Sequence, residues 1–343
     1  MMAATNVMNQ ADQPPLSDLP KRGLRSPLWR WLIVGAKLLV TLALCWLIVS
    51  WIDWQAFLAT LQNAHYGLMV AVFILSLGGI AISAWKWQIL LHGHGIHFPL
   101  LSLIRWYFIA TFFNAFLPTN IGGDGYRLLK TCDNPKGRAR AVTALLLERI
   151  TGVLTLGFMG YLAAAIVWIS SGNALAGSLA ALGTVGGIAG LIVLALIWRF
   201  GSLGPLARIR GVTRIVEIAS DAIADWKGQY QRLCVVMVLS VAFHTLRIGF
   251  IWLLILALGT AVDPVELTVA LFAVEVAAML PISIGGLGVM EGSFVYVMGS
   301  FGLGSEAGLA SMLVLRVLTL VLGLFGALLY LGEGRLKRPV SET

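Results

Sequence analysis

The residues able to do chemistry in this chain are few, and several sit where charge is costly. Glu148 and Arg149 are neighbours in an apolar run, His244 and Arg247 are three apart in another, and Arg316 lies in a third. Glu275 and Glu291 fall close to a broken apolar stretch. Ionisable side chains at membrane depth are expensive and mark ion pairs or polar pathways. Arginine keeps its charge when buried and can grip phosphate oxygens with two parallel N–H groups. The spacing of His244 and Arg247 puts both on one helix face. Glu148 and Arg149, being adjacent, point to different faces and need different partners. The set suits anion binding rather than bond breaking. Arg149, Arg247 and Arg316 are expected to divide between phosphate contact and pairing with Glu148, Glu275 and Glu291. The competing reading is that every pair only holds a helix bundle together. No nucleophile-elbow or HExxH pattern occurs, so an intramembrane enzyme is not expected. His92, His94 and His97 in HGHGIH lack acidic or cysteine company, so they read as an interfacial loop and no metal or cofactor is expected.

A nonapeptide pattern occurs twice. Leu117 to Gly125 reads LPTNIGGDG and Leu280 to Gly288 reads LPISIGGLG, identical at six of nine positions. Pro118, Gly122 and Gly123 thus have counterparts in Pro281, Gly285 and Gly286, and Gly288 closes the second copy. Pro and Gly break helices and leave backbone groups unsatisfied. In lipid such backbone is tolerated only where it is buried in protein or lines a polar cavity. Corresponding Gly/Pro breaks in two halves of a membrane chain point to a transporter's binding site. Asp124 and Arg127 lie at the first break and Glu291 follows the second, so they join the candidate set. Free backbone N–H groups at two such breaks can face an anion.

The elements that must position these residues follow from composition. The chain of 343 residues is 59% hydrophobic and only 12% charged, about half the charge of a soluble domain. The net charge of +8 is distributed as membrane topology requires, so nucleic acid is not an expected partner. Residues 1–28 form a polar, proline-rich tail, 29–331 a single transmembrane domain, and 332–343 a second tail. Apolar runs begin near Trp31, Tyr66, Pro99, Ala141, Ala176, Leu233, Val265 and Leu309. The second runs from about Tyr66 to Leu91 and ends at the tryptophan-flanked Lys86. Helical spacing of apolar residues between Val212 and Trp226 suggests an amphipathic helix on the inner membrane face. Of the 24 Lys and Arg residues none falls in the loops near 52–65, 171–175, 259–264 and 303–306.

Placing those loops outside fixes a path with both termini cytoplasmic. The first glycine break becomes the tip of a hairpin entering from the cytoplasm, and the second the tip of one entering from outside. The expected fold is therefore an all-α polytopic membrane protein with six full spans and two re-entrant hairpins. Its halves, about 29–172 and 173–331, form an inverted repeat. The alternative is eight ordinary transmembrane helices, which would put the Arg127 to Arg140 basic cluster outside.

The segments FNAFLPTNIGGDGYRLL, LLLERITGVL and LPISIGGLGVMEG resemble the transmembrane region of bacterial lysylphosphatidylglycerol synthases. They are also similar to the stand-alone, flippase-like membrane proteins that share it. The resemblance covers about residues 30–331 and brings Asn114, in the first segment, into the candidate set. It implies a multi-pass protein of the bacterial inner membrane that moves or binds a lipid. Anionic or aminoacylated phospholipids and polyprenyl-phosphate lipids are the classes it admits. In full-length family members a separate soluble domain makes the aminoacylated lipid. Only a short tail follows the last span here, so synthase chemistry is expected to be absent. The other function class is an accessory subunit that presents lipid to a separately encoded glycosyltransferase or synthase.

Overall fold

A computed structural model describes residues 64–116, 122–131, 135–200, 228–278 and 286–333, with a few single positions besides. The tail 1–28, most of the first apolar run and the segment 212–226 lie outside the described residues. All regular structure among the described residues is helical. In chain order the helices are α1 (Tyr66–Gly93), α2 (Leu100–Phe116), α3 (Gly122–Thr131), α4 (Pro135–Ser171) and α5 (Ala174–Phe200). They continue as α6 (Tyr230–Ala257), α7 (Pro264–Ala278), α8 (Val289–Gly299) and α9 (Ser305–Glu333). Four are long and apolar enough to cross a membrane: α1, α4 over Gly137–Ser171, α6, and α9 over Ser305–Gly332. The chain is a helical membrane protein.

Local chemistry sets the helix ends. Pro135 and Pro264 open α4 and α7, where a proline lacks an N–H that would be unsatisfied anyway. Asn173 caps α5, its Oδ1 accepting from the N–H groups of Leu175 (3.0 Å) and Ala176 (3.1 Å). The helix bounds follow the apolar runs read from the sequence within a few residues, but Lys86 does not end the second one. Helix α1 continues to Gly93, and Lys86 is buried within the bundle.

Helices α1 and α6 run antiparallel along each other. The N–H of His65 donates to Ala257 O at one end (2.8 Å). At the other, Gln229 Nε2 donates to Gly93 O (3.1 Å). Gly79 meets Phe243 where they cross. Two more close pairs flank this one. Helix α9 lies along α2, where a Cβ at Gly326 would collide with the Phe108 carbonyl, and Arg105 Nη2 donates to Leu329 O (3.0 Å). Helix α4 lies along α7, where a Cβ at Gly160 would strike the Phe272 ring.

Apolar packing gathers at the two ends of the bundle. At the Gly93 end Trp87, Leu90 and Leu91 of α1 pack with Leu103, Trp106 and Ile109 of α2, Tyr126 of α3, Ala141 of α4 and Val236 of α6. At the Ala257 end Ile251 and Ile255 of α6 pack with Leu267 and Val274 of α7, Phe294 and Val297 of α8, Val167 of α4 and Ala176 of α5. The α2–α3 pair therefore belongs to one end and the α7–α8 pair to the other. Asn173 Nδ2 donates to Ser300 O (3.2 Å), joining the α4–α5 turn to the end of α8.

Candidate functional site

A cavity of about 390 Å³ opens between α1, α2, α3, α4, α6 and α7. Its wall carries many of the charged side chains that the apolar helices contain. Helix α1 contributes Lys86, α3 Asp124 and Arg127, α4 Glu148 and Arg149, α6 His244 and Arg247, and α7 Glu275. Asn114, Tyr107 and Thr111 come from α2. Residues far apart in sequence are thus brought to one place by the crossing of α1, α6 and the two short-helix pairs.

Arg127 is the centre of this network and is only 2% exposed. Its Nη2 donates to Asp124 Oδ1 (2.8 Å) and its Nη1 to Glu148 Oε2 (3.1 Å). The guanidinium also lies over the rings of Tyr107 (4.4 Å to the centroid) and Trp87 (4.7 Å). Aromatic faces attract a cation, by up to about 2 kcal/mol when water is excluded. A buried charge needs this degree of company, because desolvation costs several kcal/mol per ion. The remaining oxygens are also engaged. Tyr107 OH donates to Glu148 Oε1 (2.5 Å), and Arg149 Nη2 to Asp124 Oδ2 (2.6 Å).

The adjacent Glu148 and Arg149 do serve different partners, but not the ones expected. Glu148 pairs with Arg127, and Arg149 pairs with Asp124. Arg247 pairs with Glu275 across α6 and α7. His244 shares the cavity wall with Arg247, its Nε2 placed 3.0 Å from Gly152 O.

At two glycines of the breaks a side chain takes the backbone N–H. The Gly123 N–H donates to Asn114 Oδ1 (2.8 Å). A Cβ at Gly123 would collide with Ala110 O, so glycine is what lets α3 fold back onto α2. The Gly288 N–H donates to Glu291 Oε2 (2.9 Å). Gly286 and Gly288 both have positive φ, +73° and +79°, as the turn into α8 demands. The Gly123 and Gly288 N–H groups are therefore already bonded. Gly122 opens α3 and does not line the cavity, and Pro118, Pro281 and Gly285 lie outside the described residues.

The second break makes a site of its own. Glu291, 3% exposed, accepts from Arg316 Nη2 (2.5 Å) and Nε (2.9 Å). This pair ties α8 to α9 and does not line the cavity. Arg316, Glu291, Gly286 and Gly288 are thus separate from the charges around Arg127. The rings of His92 and His97 stack at 4.7 Å, also away from the cavity wall.

Sequence reasoning missed Lys86, Tyr107 and Trp87. Lys86 Nζ donates to Ser240 Oγ (3.3 Å) and to Glu148 O (3.4 Å). Of its two tryptophan neighbours, Trp85 is 47% exposed and Trp87 fully buried. The available signal was the α1 pattern itself: Ser83, Lys86 and Trp87 share one helix face.

A family model described as the lysylphosphatidylglycerol synthase TM region matches residues 34–326. No curated protein and no solved structure matches the chain.

Proposed function

From a chain that belongs to the lysylphosphatidylglycerol synthase TM region family, we propose a protein that takes a membrane lipid by its headgroup and carries it between leaflets. The observation that carries this reading is a cavity walled by seven charged side chains inside a bundle of apolar helices. Polar cavities at membrane depth are built for something polar to enter. A cavity of this volume suits a phosphate-bearing headgroup, with acyl chains remaining among the helices. Among the described residues of the wall none has the arrangement of a nucleophile with its base, so no bond-breaking step is assigned and the protein is read as a transporter.

The transport reading includes an inverted repeat with two re-entrant hairpins, α2–α3 and α7–α8. Several features support it. Helices α1 and α6 have the same length, 28 residues. Counted from Tyr66 and Tyr230, Ser76 matches Ser240, Val72 matches Val236, and Gly79 matches the Phe243 it touches. Contact between matched positions is what a two-fold axis through that crossing requires. The last helix of each half packs on the first hairpin helix of the other: α4 on α7 through Gly160, and α9 on α2 through Gly326. These two glycines close a second repeated pattern, LGFMG at 156–160 and LGLFG at 322–326. The hairpins sit in apolar clusters at opposite ends of the bundle. Such repeats allow one half to rock against the other around a fixed site. Both termini are placed in the cytoplasm and the membrane is the bacterial inner membrane.

The test is a transport measurement on the purified protein in liposomes, following fluorescent phosphatidylglycerol from one leaflet to the other. Movement above protein-free liposomes is the expected result. No movement alone, with movement restored by a co-reconstituted lipid-modifying enzyme, would replace transport with the accessory role.

A further inference from the structure

We propose that the α1–α6 pair carries a second lipid site outside the cavity, which holds an anionic phospholipid that is not cargo. Its phosphate sits at Arg232 and an acyl chain lies in the groove between the two helices. That groove, of about 760 Å³, shares no residue with the cavity wall. Leu75 and Ile82 of α1 line it with Val238, Ala242, Gly249 and Trp252 of α6. The small residues keep it hollow: a Cβ at Gly249 would meet nothing within 4 Å. Helical spacing carries the same side of the pair on to the Gly93 end. Leu75, Ile82 and Ile89 are seven apart on α1, and Val235 and Val238 are three apart on α6. Ile89 and Val235 line a second hollow of about 310 Å³, together with His92, Gln231 and Arg232. An apolar trough thus ends in a polar pocket. From Leu75 to Ile89 the helix rises about 21 Å, enough for a chain that fills one leaflet of about 15 Å.

Charge selects the occupant. The exposed Arg232 donates from Nη1 to Gln229 Oε1 (2.7 Å) and to His92 O (3.5 Å), both uncharged. No carboxylate lies within ion-pair distance of it among the described residues. Its other N–H groups are left for a guest, and a phosphodiester offers both the acceptors and the counter-charge. Basic pockets between helices on the cytoplasmic side bind anionic headgroups, and the topology proposed above puts the Gly93 end on that side. Other occupants fit the groove but not the charge. The apolar run Trp31 to Ile52 contains no carboxylate and follows Arg25 and Arg30. A second copy in parallel orientation would bring another Arg232 to the same membrane face.

The groove is open along its length, so its lipid exchanges into detergent and must be added back. The experiment is a titration of the purified, detergent-solubilised full-length protein with phosphatidylglycerol or phosphatidylcholine, bound lipid being counted by native mass spectrometry. It is run in the Gly157→Leu protein, whose cavity is partly filled, so that cavity lipid stays out of the count. Phosphatidylglycerol should bind about fivefold tighter than phosphatidylcholine, the weight of one basic side chain at a membrane surface. Adding Arg232→Gln should bring the two lipids level, and Arg232→Lys should keep the difference. Gly249→Leu, which fills the groove, should weaken both lipids severalfold. Equal binding of the two lipids before any change at Arg232 would overturn the anionic occupant. A preference unchanged by Arg232→Gln and by Gly249→Leu would put the anionic lipid elsewhere and overturn the site. A dimer mass that Gly249→Leu splits into monomers would give the groove to a second copy, with the same consequence. Should Gly249→Leu not fold, the exposed Arg232→Gln and Arg232→Lys changes still decide. Arg232 and Gly249 lie off the cavity wall, so failure of the cavity reading leaves this result standing, and the reverse holds too.

Discussion

Arg127 shows how the cavity wall is held before any ligand enters. Its guanidinium reaches two carboxylates and two aromatic rings while nearly sealed from solvent. That arrangement makes it the organiser of Asp124, Glu148 and Tyr107. Removing the guanidinium leaves Glu148 without its cation while Asp124 keeps Arg149, and breaking a buried pair costs about 3–5 kcal/mol. Arg127→Leu should therefore lose most of the folded protein recovered on size-exclusion chromatography, and Glu148→Gln added to it should restore part of that yield. Wild-type yield in Arg127→Leu would show that the network is dispensable for folding. Most charged residues around the cavity, though not Lys86, were legible in the sequence, because charge inside an apolar run is conspicuous. Which Arg meets which carboxylate was not. Arg149 reaches Asp124 rather than Glu148 because helix crossings, not sequence neighbours, decide which side chains face each other.

At the scale of the helix, close approach matters more than propensity. The limits of the four long spans were readable within a few residues, because apolar length and flanking basic residues report them directly. The partners of those helices were hidden, since the contacts of α9 with α2 and of α4 with α7 join opposite halves of the chain. Both contacts rest on glycines, but their surroundings differ. At Gly326 an added methyl meets the backbone of α2, which cannot swing aside, whereas at Gly160 it meets the Phe272 side chain. At Gly157 it meets nothing within 4 Å. Overpacking typically costs about 1–3 kcal/mol, against a helix-propensity gain for Ala over Gly of about 0.8–1 kcal/mol. Thermal unfolding in detergent should rank the variants in that order: Gly326→Ala least stable, Gly160→Ala intermediate, Gly157→Ala at or above wild type. Equal stability of Gly326→Ala and Gly157→Ala would contradict the tight α2–α9 contact.

At the scale of the whole molecule, the two halves share one cavity and pack on each other through matched positions. If they are inverted copies, the basic stretch that opens α4 and the turn after α4 face opposite sides of the membrane. In a protein with Cys45, Cys132 and Cys234 replaced, Ala174→Cys should react with an impermeant maleimide on intact cells. Ala139→Cys should react only after lysis. Reaction of both on intact cells would exclude the inner hairpin. The claim that joins residue, helix and molecule is that the cavity itself is where the lipid sits. Gly157 lines it, and a side chain added there points into open space without displacing a neighbour. Gly157→Leu should therefore fold as wild type yet occupy part of the volume. The direct measurement is phospholipid bound per protein after purification, compared between wild type and Gly157→Leu. A lipid-holding cavity predicts bound phospholipid on wild type and a severalfold loss in the folded variant. Equal phospholipid on both would place the lipid elsewhere and contradict a headgroup site among these charges.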